Sequence, residues 1–153
     1  DNEAINDKIL KQLVTEIDQF NLKQDREKLS QEYSEFIRKL FTADRNTGHV
    51  TTPDNISKLM TELINPEEKS SIHDSTCGIG ETLRYAYNKS EEATIAGQEL
   101  NPRIAPFAET NLILAGAKPQ IKVGDSLTNK QFRNGKDLKK FEFVISDFHL
   151  FFK

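Results

Sequence analysis

The residues best suited to chemistry lie in one short stretch, residues 71–80, which reads Ser-Ile-His-Asp-Ser-Thr-Cys-Gly-Ile-Gly. Its pattern predicts a strand that ends at Asp74, a tight turn on Gly78 and Gly80, and a helix behind the turn. Glycine lets the backbone come close to a ligand, because it has no Cβ and tolerates positive φ. Unpaired N–H groups at the start of a helix favour a carboxylate or a phosphate. The stretch therefore predicts a site for a nucleotide-like cofactor.

Acidic residues at two further strand ends narrow the choice of cofactor. A dinucleotide-binding turn needs a third glycine at the position of Leu83, which disfavours nicotinamide and flavin cofactors. Glu99 instead ends the second predicted strand, and Asp125 follows the third. A carboxylate suits ribose, because its two oxygens accept hydrogen bonds from both vicinal hydroxyls. The alternative is that Glu99 and Asp125 cap turns or helices, but three acids in this order favour a cofactor.

Five segments carry a family resemblance. The chain reads Gly-His-Val-Thr-Thr-Pro at 48–53, Asp-Ser-Thr-Cys-Gly-Ile-Gly at 74–80, Gly-Gln-Glu-Leu-Asn at 97–101, Gly-Asp-Ser-Leu at 124–127 and Phe-Val-Ile-Ser at 143–146. In this order they resemble the modification subunit of type I restriction-modification systems, an N6-adenine DNA methyltransferase. The acid at the end of each of the first three strands is also typical of methyltransferases that use S-adenosylmethionine.

The resemblance implies S-adenosylmethionine as the cofactor and a role for each matching residue. Asp74 and the glycine turn would hold the methionyl end, Glu99 the ribose hydroxyls and Asp125 the adenine amino group. The corner at Thr52 and Pro53 would lie against the methionine part, although Val50 and Thr51 replace the two aromatic residues of the family. The candidate cofactor-binding residues are Thr52, Pro53, Asp74, Thr76, Cys77, Gly78, Gly80, Glu99 and Asp125.

The glycine turn departs from the family at three positions. Ser75 stands where proline is usual, Ile79 where a small residue is usual, and Glu81 where a second glycine is usual. The branched Ile79 and the charged Glu81 are expected to crowd or repel the cofactor carboxylate. Binding is therefore expected to be weak or absent.

The catalytic motif of the family, Asn-Pro-Pro-Phe after the fourth strand, is replaced here by Asp-Phe-His-Leu at 147–150. Asp147 is the candidate catalytic residue, because its carboxylate can still accept a hydrogen bond from the adenine amino group. Phe148 and His149 cannot reproduce a rigid diproline backbone. The family continues beyond the position where this chain ends, so we expect a truncated or frame-shifted remnant, or a fragment, with little or no turnover alone.

The elements that must position these residues alternate between helix and strand. Strands are predicted over 71–74, 94–99, 120–123 and 141–146, the last as a buried apolar run, with helices over 79–88 and after Asn101-Pro102. This alternation predicts a doubly wound parallel sheet with the first strand near its middle. The fold class is α/β, a partial Rossmann-like S-adenosylmethionine-dependent methyltransferase fold behind an α-helical N-terminal segment. We place a helical segment at 1–47 and the cofactor-binding domain at 48–153.

Three amphipathic helices are predicted before the first strand: over 3–20, after Asp25, and after Thr51-Thr52-Pro53. Their apolar stripes are Ile5, Ile9, Leu13, Ile17 and Phe20; Leu29, Tyr33, Phe36, Ile37, Leu40 and Phe41; and Ile56, Leu59, Met60, Leu63 and Ile64. The first two stripes are expected to pack on each other and on the α/β core. The alternative is that they contact partner subunits and DNA.

Composition limits the classes of function. The 153 residues carry a net charge of −3, which argues against a free-standing nucleic-acid binder. The cluster Lys136, Lys139 and Lys140 is interpreted as a solvated loop, with a phosphate contact as the alternative. Cys77 is the single cysteine, three isolated histidines predict no metal site, and neither a membrane span nor a secretory signal is expected. A cytoplasmic protein is expected.

The interpretation we favour is a partial type I modification methyltransferase whose partners are DNA and the specificity and restriction subunits. A homo-oligomer formed through the N-terminal helices is a further expectation. The alternative is a non-catalytic module that binds restriction-modification subunits. A small-molecule methyltransferase is disfavoured, because the segment at 48–53 resembles the DNA-modifying family.

Overall fold

The computed structural model describes residues 26–43 and 51–148, so the predicted helix over 3–20 and the proposed boundary at 47 lie outside the described residues. The helices are α1 (Arg26–Ala43), α2 (Asp54–Ile64), α3 (Glu81–Lys89) and α4 (Ala105–Ala115). The strands are β1 (Ser71–Asp74), β2 (Thr94–Glu99), β3 (Gln120–Val123), β4 (Arg133–Asn134), β5 (Asp137–Leu138) and β6 (Phe143–Ile145). No helix in the described ranges is long and apolar enough to cross a membrane.

Four strands form one parallel sheet in the order β3-β2-β1-β6. The predicted bounds of the first three strands, and the inner position of β1, are confirmed. The strand order reverses at β1, which has β2 on one side and β6 on the other. Since the carboxyl ends of parallel strands share one edge, the chain segments after β1, β2, β3 and β6 all emerge there. Ligands of open α/β sheets bind at such a reversal point.

The main core lies between the sheet and the helices. Ile72 and Ile95 are neighbours in register on β1 and β2, and both are buried. They pack in one cluster with Leu83 of α3 and Leu112 of α4. Met60 and Ile64 of α2 pack against the same cluster at half-burial. In the described residues, one face of the sheet is thus covered by α3 and α4, with α2 beside α3.

The opposite face carries a feature that the sequence did not predict, the antiparallel hairpin of β4 and β5. Its flanking residues Phe132 and Phe141 pack on His73, which points away from the helices because side chains alternate along β1. The predicted strand over 141–146 is therefore too long, since Phe141 belongs to this aromatic cluster. Val144 is 61% exposed at the sheet edge. The expectation of a strand buried on both faces is wrong for the described structure.

The helix α1 is described over Arg26–Ala43, and it buries only part of its stripe against the α/β core. Ile37 is buried and packs with Ile79 and Ile104 in a second cluster. Phe36 and Leu40 are exposed by 61% and 47%. The predicted packing of this stripe on the stripe of residues 3–20 lies outside the described residues.

The helix α2 buries a polar face. Ser57 and Thr61 are buried, and the Ser57 hydroxyl lies 3.0 Å from the Thr82 hydroxyl of α3. The apolar residues Ile56, Leu59 and Leu63 are exposed by 38%, 53% and 76%. The buried side of α2 thus combines the Ser57–Thr82 contact with the half-buried Met60 and Ile64, and the predicted inward stripe is wrong at Ile56, Leu59 and Leu63.

Three helix starts differ slightly from the prediction. The helix α3 begins at Glu81 rather than at Ile79, with Gly80 as its N-cap. Pro53 is the N-cap of α2 rather than its first helical residue. The helix α4 begins at Ala105, because the Asn101 carbonyl and side chain first hold a turn, in which Asn101 Oδ1 accepts the N–H of Arg103 at 2.9 Å. Gly116 ends α4 at a φ of 103°, as predicted.

Candidate cofactor site

The turn after β1 is held by the buried carboxylate at the end of that strand. Asp74 Oδ1 accepts the N–H of Thr76 at 2.9 Å, and the N–H of Cys77 donates to the Gln98 carbonyl at 3.0 Å. The N–H of Gly80 closes the turn on the Cys77 carbonyl at 2.8 Å. The turn is thereby fixed to both β1 and β2 before α3 begins.

The two glycines of the turn have different roles. Gly78 has a φ of 54°, and a Cβ placed on it would meet no atom within 4 Å. Gly80 has a φ of 79°, and a Cβ there would lie 3.2 Å from the backbone of Ala108. Gly80 therefore permits close packing of the turn on α4. Gly78 leaves open space beside the turn, as a ligand cradle requires.

Glu99 connects the ends of β1 and β2. One carboxylate oxygen accepts the N–H of Gly78 at 2.9 Å, and the other accepts the N–H of Asn101 at 2.8 Å. This is the capping role that the sequence left open. Each carboxylate oxygen has two lone pairs, so both oxygens can accept a further hydrogen bond from a ligand.

Asp125 is engaged in its own turn after β3. Its carboxylate accepts the N–H of Leu127 and the hydroxyl of Thr128, each at 2.8 Å. These hydrogen bonds, the Leu127 bond foremost, lower the pKa of Asp125. The same loop reaches the glycine turn through Ser126, whose hydroxyl donates to the Ser75 carbonyl. The structure thus joins the third strand end to the turn by a serine that the sequence analysis missed.

Three carboxylates converge at the carboxyl edge of the sheet. Burial raises the pKa of Asp74 to about 7, and the negative charges of Asp147 and Glu99 act in the same direction. Burial also raises the pKa of the Cys77 thiol, which suits the small apolar role expected for it. Asp74, Glu99 and Asp147 therefore lie close enough for their charges to interact at this edge of the sheet.

Asp147 is brought to the turn by the residue before it. The Ser146 hydroxyl lies 2.8 Å from the hydroxyls of both Ser75 and Thr76. These hydroxyl contacts connect the end of β6 to the end of β1. Ser75, which stands where the family usually has proline, makes one of them. Phe148 is 62% exposed, and the predictions for His149 and Leu150 lie outside the described residues.

The predicted crowding by Ile79 and Glu81 is not what the structure shows. Ile79 is buried against Ile37 and Ile104. Glu81 is buried too, and its two carboxylate oxygens pair with the Arg84 guanidinium at 2.7 Å and with the Ser34 hydroxyl. Both side chains attach α1 to the α/β core, so the departures from the family motif serve packing.

The predicted corner at Thr52 and Pro53 lies at the start of α2. The contact of Ser57 with Thr82 places the first turn of α2 beside the first turn of α3, which follows the glycine turn directly. Thr52 is half-buried and Pro53 is exposed. Their contact with a cofactor stays a prediction.

Exposed apolar side chains accompany the acids, at positions that the sequence motifs do not mark. Leu100 directly follows Glu99 and is 68% exposed, and Leu127 lies two residues after Asp125 and is 85% exposed. An apolar residue one or two positions after an acid at a strand end is the signal that could have found them. Such side chains suit the faces of an aromatic ring.

The chain matches a known protein family over most of its length. The sequence model of the N-6 DNA Methylase family matches residues 24–150. The chain belongs to this family. Together with the relatives described next, this match confirms the predicted resemblance to type I modification subunits, the Rossmann-like methyltransferase fold class and S-adenosylmethionine as the cofactor of the family.

Individual relatives agree with this assignment. The chain is 34% identical over 93 residues to the type I restriction enzyme MjaVIII methylase subunit of Methanocaldococcus jannaschii, a match that covers 57% of this chain and 16% of that protein. A modification subunit assigned to a type I restriction enzyme of Vibrio vulnificus has a TM-score of 0.69 at 24% identity, over 90% of this chain and 32% of the other. A Listeria monocytogenes structure assigned to the class I S-adenosylmethionine-dependent methyltransferases has a TM-score of 0.59 at 21% identity, over 85% and 40%.

The likeness to these two structures shows the fold. The chain corresponds to a small part of the relatives it matches, about one sixth of the Methanocaldococcus protein and one third of the Vibrio structure. The activity and partners of a whole subunit are therefore a matter of proposal for this chain.

Proposed function

We propose that this chain forms the cofactor-binding part of a type I restriction-modification methyltransferase and serves N6-adenine methylation of DNA. The observation that carries the proposal is the open space beside Gly78, at the strand reversal, with Asp74 and Glu99 fixed around it. Bound there, S-adenosylmethionine would supply a methyl group activated by its sulfonium charge.

The polar residues of the site suit the parts of this cofactor. The converged carboxylates Asp74, Glu99 and Asp147 favour a ligand that carries positive charge, as the ammonium and sulfonium groups do. Glu99 would accept the ribose hydroxyls with the lone pairs that Gly78 and Asn101 leave free. Leu100 and Leu127 would cover the adenine ring, and Asp125 would accept from its amino group.

Asp147 would act on the target base. Its position after β6, held by the Ser146 contacts, brings its carboxylate to the same edge as Asp74. A carboxylate there would accept a hydrogen bond from the adenine amino group and orient the nitrogen toward the methyl donor. The base must leave the duplex stack to reach this edge.

Calorimetric titration with S-adenosylmethionine tests the proposal through Glu99. We expect a micromolar Kd for the unaltered chain and at least about tenfold weaker binding for Glu99→Gln, which loses one acceptor for the ribose. Glu109→Gln, an exposed change on α4, is the matched control and should leave the Kd unchanged. Circular dichroism melts of both variants would verify that Glu99→Gln is folded. Equal affinity in the two variants would refute the assigned role of Glu99.

The alternative, a non-catalytic module that binds other subunits, is favoured by one observation. Exposed apolar stripes lie on α1, at Phe36 and Leu40, and on α2, at Leu59 and Leu63. Contiguous exposed apolar surface is typical of an interaction site. A chain that binds no S-adenosylmethionine but co-purifies with an intact modification subunit would favour this alternative.

A further inference from the structure

Six cations are gathered on the sheet face opposite α3 and α4. They are Lys122, Lys130, Arg133, Lys136, Lys139 and Lys140, and all six are exposed. We call these residues the basic ribbon, because most of them lie on or beside the β4–β5 hairpin. Over residues 122–142 the acids are Asp125, Asp137 and Glu142, whereas the whole chain is acidic at −3. Positive charge is thus concentrated on one surface of an acidic protein.

A cluster of aromatic side chains attaches the basic ribbon to the sheet. His73 of β1 lies 4.7 Å from Phe141 and 4.9 Å from Phe132, measured between ring centroids. Lys122 lies over the ring of Phe132 at 4.8 Å, and Lys139 lies over the ring of Phe141 at 5.0 Å. The hairpin is therefore fixed to the middle of the sheet, and its cations are presented from a defined position.

The ribbon cations remain available to a partner. Among the described residues, none of the six takes part in an ion pair with a carboxylate within 4.0 Å. Arg133 donates to the carbonyls of Lys130 and Lys136 at 3.2 Å, which orders its guanidinium while leaving further N–H donors free. An ordered guanidinium with free donors is well suited to phosphate.

The ribbon is joined to the candidate cofactor site by a short, bonded loop. Gly124 donates to the Glu99 carbonyl at 2.9 Å at one end of this loop. At the other end, Gln131 donates to the Gln98 side chain at 3.0 Å, directly before Phe132. A polyanion held on the ribbon would therefore lie close to the edge of the sheet where the chemistry is proposed.

We propose that the basic ribbon contacts the sugar-phosphate backbone of duplex DNA. The inference rests on the proposed function, which makes DNA the substrate. A chain of negative net charge repels DNA overall, so a local positive surface is needed to hold it. Within residues 130–140 the exposed large apolar side chain is Leu138, whereas binding to a lipid surface needs an extended apolar face.

Salt-dependent DNA binding tests the proposal. The probe is a fluorescein-labelled duplex of about 30 base pairs, titrated by anisotropy between about 50 and 200 mM salt. The ribbon variant combines Lys130→Gln, Arg133→Gln, Lys136→Gln and Lys140→Gln, and keeps Lys122 and Lys139 over their rings. Because each phosphate contact adds about 0.9 to the magnitude of the negative slope of log K against log salt, this variant should lower that magnitude by about 3.6 and weaken binding at least about tenfold.

The matched control removes the same number of charges elsewhere. It combines Lys28→Gln, Lys39→Gln, Lys69→Gln and Lys118→Gln, all at exposed positions, and should keep most of the affinity and the slope. Equal losses in the two variants would overturn the proposal, because net charge alone would explain them. Failure of the unaltered chain to bind the duplex, or tighter binding to vesicles of anionic phospholipid, would also overturn it.

Calorimetry with S-adenosylmethionine separates this inference from the proposed function. The ribbon variant should bind the cofactor as the unaltered chain does. A chain that binds the cofactor but not DNA refutes the ribbon proposal alone. A chain that binds DNA through the ribbon but not the cofactor refutes the cofactor assignment alone.

Discussion

Asp74 sets the charge of the site. It is fully buried at the end of β1, close to the carboxylates of Asp147 and Glu99, and its pKa is raised to about 7. The carboxylate is therefore partly protonated near neutral pH. A cationic ligand would favour its ionised form, so the affinity for such a ligand should rise as the pH rises through 7.

The raised pKa of Asp74 predicts that the stability of the folded chain depends on pH. A carboxyl whose folded pKa lies above its unfolded value binds its proton more tightly in the folded state, so its contribution falls as the pH rises from about 4 to about 7. Asp74→Asn removes this ionisation and should raise the free energy of unfolding at pH 8 by about 2–4 kcal/mol. Urea unfolding at pH 5 and pH 8 measures the effect. If Asp74→Asn and the unaltered chain differed in free energy of unfolding by the same amount at pH 5 and pH 8, the ionisation of Asp74 would not be the cause.

Single residues also show which features of the site a sequence pattern can predict and which it cannot. The acids Asp74 and Glu99 were found from their positions after strands, because strand ends are readable from apolar runs. The roles of Ile79 and Glu81 were misjudged, since they depend on α1 returning to pack on α3 and α4. Contacts between residues that are distant in sequence, such as Ser34 with Glu81, have no local signal.

At the scale of elements, strands were predicted better than helix faces. The bounds of β1, β2 and β3 follow from short apolar runs between turn residues, which identify parallel strands. The inward face of α2 was predicted from its apolar residues, but its buried residues include Ser57, whose hydroxyl contacts Thr82 of α3, and Thr61, whose hydroxyl donates to the Ser57 carbonyl within α2. Hydropathy cannot identify a face that is buried through hydroxyl groups. The β4–β5 hairpin was missed because its two strands have two residues each.

The exposed stripe of α2 predicts a small cost for polar substitution. Leu59→Ser combined with Leu63→Ser should change the free energy of unfolding by no more than about 1 kcal/mol, because both side chains are already largely exposed. Leu83→Ala, at a fully buried position on α3, is the control and should cost about 2–5 kcal/mol. Thermal melts report both changes. A double variant as damaging as the control would show that the stripe is buried in the folded chain.

At the scale of the molecule, three features meet at one edge of a four-stranded sheet. The glycine turn is open beside Gly78, the carboxylates of Asp74 and Glu99 accept hydrogen bonds from it, and the loop next to it leads to the basic ribbon. The helices cover the other face of the sheet and stabilise the turn from behind, through Gly80 packed on Ala108. Cofactor and DNA would thus approach from sides that the described helices leave free.

The central claim is that the space beside Gly78 receives S-adenosylmethionine, and calorimetric titration of Gly78→Ala against the unaltered chain tests it most directly. A Cβ at Gly78 meets no protein atom within 4 Å, so the variant loses only about 1–2 kcal/mol through its positive φ and stays folded. The account predicts micromolar binding to the unaltered chain and a loss of at least about tenfold in Gly78→Ala, because the added methyl enters the ligand's space. No binding to the unaltered chain, or equal binding to both proteins, would contradict it.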